Sequence, residues 1–314
     1  MKLAPFAGIL AAIVAFSQST INGLAPGVTT AAAKLREATD ASEAPLIGGS
    51  LREDTAKRRL NDQPKPMTVL MRSGNWFIYS RGCETVKHRR DVVIHFHGAH
   101  TTVIPRFLAS ELDAVLVIVN LGLFSGPYTN AFALRSSVDG LLDRIQSSIA
   151  EQCKVSDASI TRLALSSWSA GYGAVEQFLR FRPERVHAVL LADGLHVGFS
   201  DKRTRTVNVN SLDVFVRFAQ QAARGERLMN ITHSGIIPLE YAGAAETAMA
   251  VSQAAHAPTW TVNEQKYGMQ QVTASRRGEF YVEGFAGNDK AAHSRHLYSI
   301  GKTSFARLRE YWGK

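Results

Sequence analysis

The 314-residue chain is 45% hydrophobic and 20% charged, a globular balance that excludes disordered and collagen-like polymers. Its formal net charge of +9 raises the question of nucleic acid, but the basic runs Lys57-Arg58-Arg59, Lys87-His88-Arg89-Arg90 and Arg276-Arg277 are dispersed and lack interleaved aromatics. Solvated faces, or loose attraction to an anionic cell surface, are therefore expected in place of a nucleic-acid partner.

The chain begins Met1-Lys2 and continues into a 14-residue apolar run, Leu3 to Phe16, with Ala15 and Ser17 at the small-residue spacing that a signal peptidase reads. A spanning helix needs about 20 apolar residues. Residues 1–17 thus read as a secretory signal, with a buried helix as the alternative, and the protein as exported, periplasmic or extracellular, without a stable membrane anchor. Residues 18–66, rich in Ala, Thr, Ser, Pro and charge, read as a linker or loosely packed arm. Export permits disulfides, and the two cysteines, Cys83 and Cys153, either pair with each other or remain separate buried thiols. Pairing closes a 70-residue loop and would stabilise the fold by about 4 kcal/mol in the chain-entropy model.

From Met67 short β-branched runs alternate with longer amphipathic stretches, the pattern of an α/β fold with a mostly parallel central sheet and helices on both faces. The predicted strands are Val69–Arg72, Trp76–Ser80, Val92–His97, Val115–Asn120, Arg162–Ser166, Ala188–Ala192, Met229–Thr232 and Glu279–Val282, the early ones hairpin-like. The clearest helices are Ser136–Glu151, Ala170–Phe181, Leu212–Ala223, Ala244–Ala254 and one from about His293 to Tyr311. Between Asp193 and Met229 the polar, basic segment from His196 to Asn210 reads as a mobile loop whose Arg203 and Arg205 could meet an acidic substrate.

The segment Arg162 to Gly173 reads strand, tight turn, helix, with Ser167-Trp168-Ser169-Ala170-Gly171 at the turn. A serine there projects its hydroxyl above the sheet, and its neighbours must be small because the strained backbone leaves no room. The helix that follows aims N–H groups and a positive dipole end at charge developing beside Ser169. This segment resembles the Gly-x-Ser-x-Gly elbow of the α/β-hydrolase superfamily, with Ser167 in place of the first glycine. The resemblance runs from about Met67 to Lys314 and implies a serine-dependent, carboxylesterase-like acyl hydrolase working through an acyl-enzyme on Ser169, with no cofactor and a small-molecule or acyl substrate. Nothing in the pattern fixes an oligomeric state.

On that resemblance the other roles follow. The strand ending His97-Gly98 matches the family's oxyanion loop, making the N–H groups of Ala99 and Ala170 the oxyanion donors, or His100 if the register differs by one. The loop Gly284 to His296 is where the family keeps its histidine, assigned to His293 with His296 as runner-up. The acid is assigned to Asp193, at the end of the apolar strand Val189–Ala192, with Glu240 and Glu246 as alternatives one strand later. His97, Gly98, Trp168 and Tyr172 are expected around the substrate, although core packing accounts equally well for the two aromatics. The order Ser169, Asp193, His293 is the family's order.

Two rival readings stand beside this one. The run His95-Phe96-His97-Gly98-Ala99-His100 approximates the His-x-His-x-Asp-His zinc signature of the metallo-β-lactamase superfamily, with Ala99 where the aspartate is required. The other rival is a non-catalytic surface- or carbohydrate-binding protein on a hydrolase scaffold, with Ser169 a relic.

Overall fold

The computed structural model describes residues 67–88, 90–156 and 158–314. The expected signal (1–17) and arm (18–66), and with them Lys57-Arg58-Arg59 and Arg89, lie outside the described residues. No helix among the described residues is long and apolar enough to cross a membrane.

Three runs that are almost wholly apolar, Val92–Phe96 (β3), Val115–Val119 (β4) and Val186–Ala192 (β6), lie in the middle of a ten-stranded sheet. Strands covered on both faces lose the in-out alternation, so their sequences read as continuous hydrophobic stretches. With β1 (Thr68–Ser73), β2 (Trp76–Ser80), β5 (Leu163–Trp168), β9 (Leu228–His233), β10 (Thr259–Lys266), β11 (Met269–Arg277) and β12 (Phe280–Phe285), the sheet order is β1-β2-β4-β3-β5-β6-β9-β12-β11-β10. Strands β4, β3, β5, β6, β9 and β12 run parallel, whereas β1-β2 and β10-β11 add antiparallel pairs at the two edges.

Helices cover both faces. One core layer contains Tyr128 from α3 (Ser125–Ala131), Val138 from α4 (Arg135–Cys153), Phe178 from α5 (Tyr172–Phe181), Phe215 from α6 (Asp213–Ala223) and Val251 from α7 (Ala244–Ala254). The opposite layer contains Val103 and Phe107 from α2 (His100–Ala109), Leu297 from α8 (Lys290–Ile300), and Leu308 and Trp312 from α9 (Ala306–Gly313). Fully burying one such phenylalanine contributes roughly 1.5–3 kcal/mol. Helix α1 (Cys83–His88) packs near α4, and Cys83 and Cys153 from these two helices form a disulfide.

Three features differ from the sequence-based expectation. The hairpin β10-β11 is absent from the predicted strands because its sequences, TWTVNEQK and MQQVTASRR, are mostly polar and β10 is an exposed edge. Its turn is Tyr267-Gly268, both with left-handed φ (57° and 76°), as a two-residue hairpin of matching twist requires. The final helix is two, α8 and α9, joined by a π-helical turn at Gly301–Phe305, and α8 starts at Lys290, where the Asp289 carboxylate accepts from the Ala292 N–H at 2.7 Å. The segment from His196 to Asn210 folds into a small hairpin, β7 (Phe199–Asp201) with β8 (Thr206–Val207), pinned by a bridge between Val197 and Ala242.

Candidate active site

The carboxyl ends of β3, β5 and β6 each finish on a non-glycine residue with left-handed backbone: His97 (φ 69°), Ser169 (φ 50°) and Asp193 (φ 46°). Such backbone costs of order 1–3 kcal/mol at each position and persists only where neighbours over-determine it. At Ser169 the neighbours are visible. A Cβ added to Gly194 would lie 2.1 Å from the Ser169 carbonyl oxygen, and one added to Gly171 would lie 2.3 Å from the Phe96 carbonyl oxygen. The elbow therefore nests directly on the ends of β6 and β3, and only glycine leaves room. Ser167, in the position of the first glycine of the Gly-x-Ser-x-Gly pattern, is fully buried, and its hydroxyl has no partner among the described residues.

Asp193 is 2% exposed. Its Oδ1 accepts from the Ser234 backbone N–H (2.7 Å) and the Ser234 hydroxyl (3.0 Å), and its Oδ2 lies 2.7 Å from His293 Nδ1. Burial by itself opposes the charge. The His293 hydrogen bond, the nearby His296 and the Ser234 N–H outweigh it and pull the Asp193 pKa down to about 2. Facing an ionised carboxylate, Nδ1 of His293 must carry a proton and donate it, which leaves the lone pair on Nε2. His293 is in the first turn of α8, one residue beyond the N-terminal triplet, because the Asp289 cap starts the helix early.

Ser169, Asp193 and His293 line one cavity of about 210 Å3. Ser169 also lines a second cavity of about 380 Å3 with Ala170 and Tyr172. Among the described residues the Ser169 hydroxyl makes no hydrogen bond in this structure. Contacts between a hydroxyl and its base are commonly long in a free enzyme and tighten when substrate enters.

The alternative residues lie elsewhere. Glu240 is exposed and pairs with Lys202, while Glu246 is held by Arg205 through two contacts of 2.8 and 2.7 Å and caps the Gly243 N–H. That pairing also occupies Arg205, one of the two arginines that could meet an acidic substrate; the other, Arg203, is in the exposed hairpin turn. The segment after β9, searched for a carboxylate, supplies instead the Ser234 donors that clamp Asp193. His296 is buried, bonded through Nδ1 to Thr232 Oγ1 (2.9 Å), and its pKa is lowered to about 4, chiefly by burial.

The histidines of the zinc-like run diverge. His95 is fully buried with Nδ1 2.9 Å from Ser166 Oγ, and burial lowers its pKa to about 3. His97 Nδ1 is 2.9 Å from the Tyr128 hydroxyl, and His100 is exposed with its ring 5.0 Å from that of Phe77. No three His, Cys, Asp or Glu side chains among the described residues converge as a metal site.

The residues expected around the substrate divide. His97 is stacked on Trp168 (5.0 Å between centroids), a Cβ added to Gly98 would lie 3.3 Å from His95, Val103 and Leu297, and Trp168 donates its Nε1–H to the His293 carbonyl at 3.1 Å. None of the three lines either cavity at Ser169. Tyr172 does. Of the expected oxyanion donors, Ala170 lines the larger cavity. Ala99 is exposed, lines neither cavity, and serves as the N-cap of α2, its carbonyl accepting from the Thr102 and Val103 N–H groups.

Sequence reasoning missed His196 and Tyr241, which line both cavities. The His196 ring lies edge-on between Tyr172 (5.6 Å) and Tyr241 (5.2 Å), and burial lowers its pKa. The one available signal was its position three residues after Asp193, on the loop leaving the same strand end.

The strand order and the elbow after β5 define an α/β-hydrolase fold. No protein-family model matches the sequence, and no curated protein matches it. Among solved structures, the chain is similar to a serine-to-alanine mutant of the feruloyl esterase module from Clostridium thermocellum complexed with sinapinate (12% identity, TM-score 0.46, covering 78% of this chain and 90% of that one). It is also similar to a cold-adapted esterase from an Arctic intertidal metagenomic library (14% identity, TM-score 0.41, covering 77% and 92%). At such scores the likeness adds nothing to the chain's own strand order, on which the fold assignment rests.

Proposed function

We propose that the protein is a serine-dependent ester hydrolase acting on small-molecule acyl substrates, with Ser169 as nucleophile, His293 as general base and acid, and Asp193 orienting the imidazole. The observation that carries the reading is the 2.7 Å contact between His293 Nδ1 and a buried, ionised Asp193, at a cavity shared with Ser169. A serine hydroxyl is barely ionised at neutral pH and needs a base to remove its proton during attack. With Nδ1 committed to Asp193, His293 Nε2 is free to accept that proton and return it to the leaving group, and the carboxylate stabilises the imidazolium that forms between the two events. The N–H groups at the start of the Ser169–Gly171 turn support stabilisation of the oxyanion.

The test is labelling by a fluorophosphonate probe alongside ester turnover. Only an activated serine reacts with the probe, so labelling of the wild type and none of Ser169→Ala is expected, with turnover reduced about a millionfold. Unaltered hydrolysis by Ser169→Ala would end the proposal.

We further infer that the protein works after export. The signal-like Leu3–Phe16 run and the Cys83–Cys153 disulfide support this, since disulfides persist in oxidising compartments. Mass analysis of secreted protein should find residues 1–17 removed and both thiols oxidised; an intact N-terminus with free thiols contradicts the inference.

A further inference from the structure

Ser169 lines two cavities that share His196 and Tyr241 and differ in the rest of their walls. The cavity of about 210 Å3 contains His293 and Asp193 together with Ile236 and Pro238. The cavity of about 380 Å3 has no His293; it contains Ala170, and its further walls include Leu123, Phe124, Tyr172 and Val197. Leu123 and Phe124, on the loop between β4 and α3, are 80% and 58% exposed. Large apolar side chains left in water forgo burial energy, and a ligand seated against them would recover part of it.

Resting on the hydrolase reading, we propose that the larger cavity receives an apolar acyl group and the smaller one a compact alcohol, so that the substrate is an ester of a medium-chain or aryl-terminated acid with a small alcohol. The assignment follows from the proton. Ser169 Oγ bonds to the acyl carbon while its proton passes to His293 Nε2; the tetrahedral adduct then collapses, the bond from carbon to alcohol oxygen breaks, and His293 returns the proton to that oxygen, releasing the alcohol. The leaving oxygen must therefore lie on the His293 side. Water repeats the sequence on the acyl-enzyme, its proton going to His293 and then to Ser169 Oγ as the acid departs. The acyl chain extends the other way, past Ala170 toward Phe124 and Tyr172.

Gly198 offers a clean probe. It lines only the larger cavity, its φ is not in the left-handed region, and a Cβ placed on it would meet nothing within 4 Å. Gly198→Phe should fill that cavity without straining the backbone. The experiment measures kcat/KM of the full chain for methyl esters of acetic, octanoic and phenylpropanoic acids, and for methyl, butyl and benzyl acetates. The wild type should prefer the two larger acids over acetate by at least about tenfold, and Gly198→Phe should erase about tenfold of that preference while shifting the ranking of alcohols by less than about twofold. Phe124→Ala, at a position 58% exposed, should weaken the same acyl preference. Equal turnover of all three acids by the wild type, or a Gly198→Phe effect that follows the alcohol, overturns the assignment while leaving the hydrolase reading intact. Absence of fluorophosphonate labelling overturns both.

Discussion

Two imidazoles lie against the indole of Trp168, and their partners differ in charge. His97 stacks at 5.0 Å and 14° between planes, and His293 lies at 4.8 Å and 30°. His97 Nδ1 faces a neutral phenol, that of Tyr128, which is tied in turn to Asn120 (3.0 Å) and to the Gly122 carbonyl (3.2 Å) and whose pKa burial pushes up to about 12. Burial also lowers the pKa of His97. His293 Nδ1 faces the Asp193 carboxylate, and its ring borders a cavity. Under the proposed mechanism proximity to the elbow is not what makes a base: a counter-charge for the imidazolium and an open edge for the substrate are.

Swapping the two histidines out one at a time puts the largest expected effect on that contrast. His293→Ala should reduce kcat about a millionfold, as loss of a triad histidine does. His97→Ala should lower the melting temperature yet keep kcat within about a hundredfold, the lower bound for a positioned proton carrier. Comparable losses in both would mean that the comparison assigns the base wrongly. Next in size, Asp193→Asn keeps the shape but offers Nδ1 no anion, and kcat should drop about ten-thousandfold with stability much less affected; a loss under about tenfold would remove Asp193 from the mechanism.

The smallest effect concerns pH. His95 and His296, buried like His97, have pKa values lowered from 6.5 to about 3 and about 4. Below 6.5 the unfolded chain protonates these rings and the folded one does not, so more protons bind the unfolded state and stability falls as pH drops toward those values. Each ring should contribute on the order of 1 kcal/mol per pH unit within its window. Urea midpoints measured from neutral pH down to about 4 should decline, and His95→Asn should flatten the decline; a slope unchanged in that variant would contradict the burial argument. Asp193 acts in the same direction at lower pH: its folded pKa of about 2 lies below the ordinary 3.8, so its contribution is complete above 3.8 and is lost as pH falls through about 2.

The elbow was legible because a local constraint writes itself into adjacent residues: a left-handed Ser169 between a strand and a helix needs Ala170, Gly171 and the distant Gly194 to be small, and the first two lie directly after it in the chain. The central strands were legible because burial on both faces leaves uninterrupted apolar runs. The hairpin β10-β11 was not, since an exposed edge strand carries polar residues on both faces and loses the signal that marks the others. The clamp on Asp193 was missed for another reason: a search for a second carboxylate after β9 does not look for a serine.

The sequence by itself determined the fold class, the strained serine turn and the order of the residues around it, because each depends on periodicity or on steric demands between near neighbours. Only the tertiary structure decided which of several histidines meets a carboxylate, that His95, His97 and His100 point to three separate partners, and that Ser169 borders two unlike cavities. Those outcomes depend on distances between strand ends and loops far apart in the chain, such as the 2.7 Å between Asp193 and His293, 100 residues apart, and no local pattern encodes such a distance.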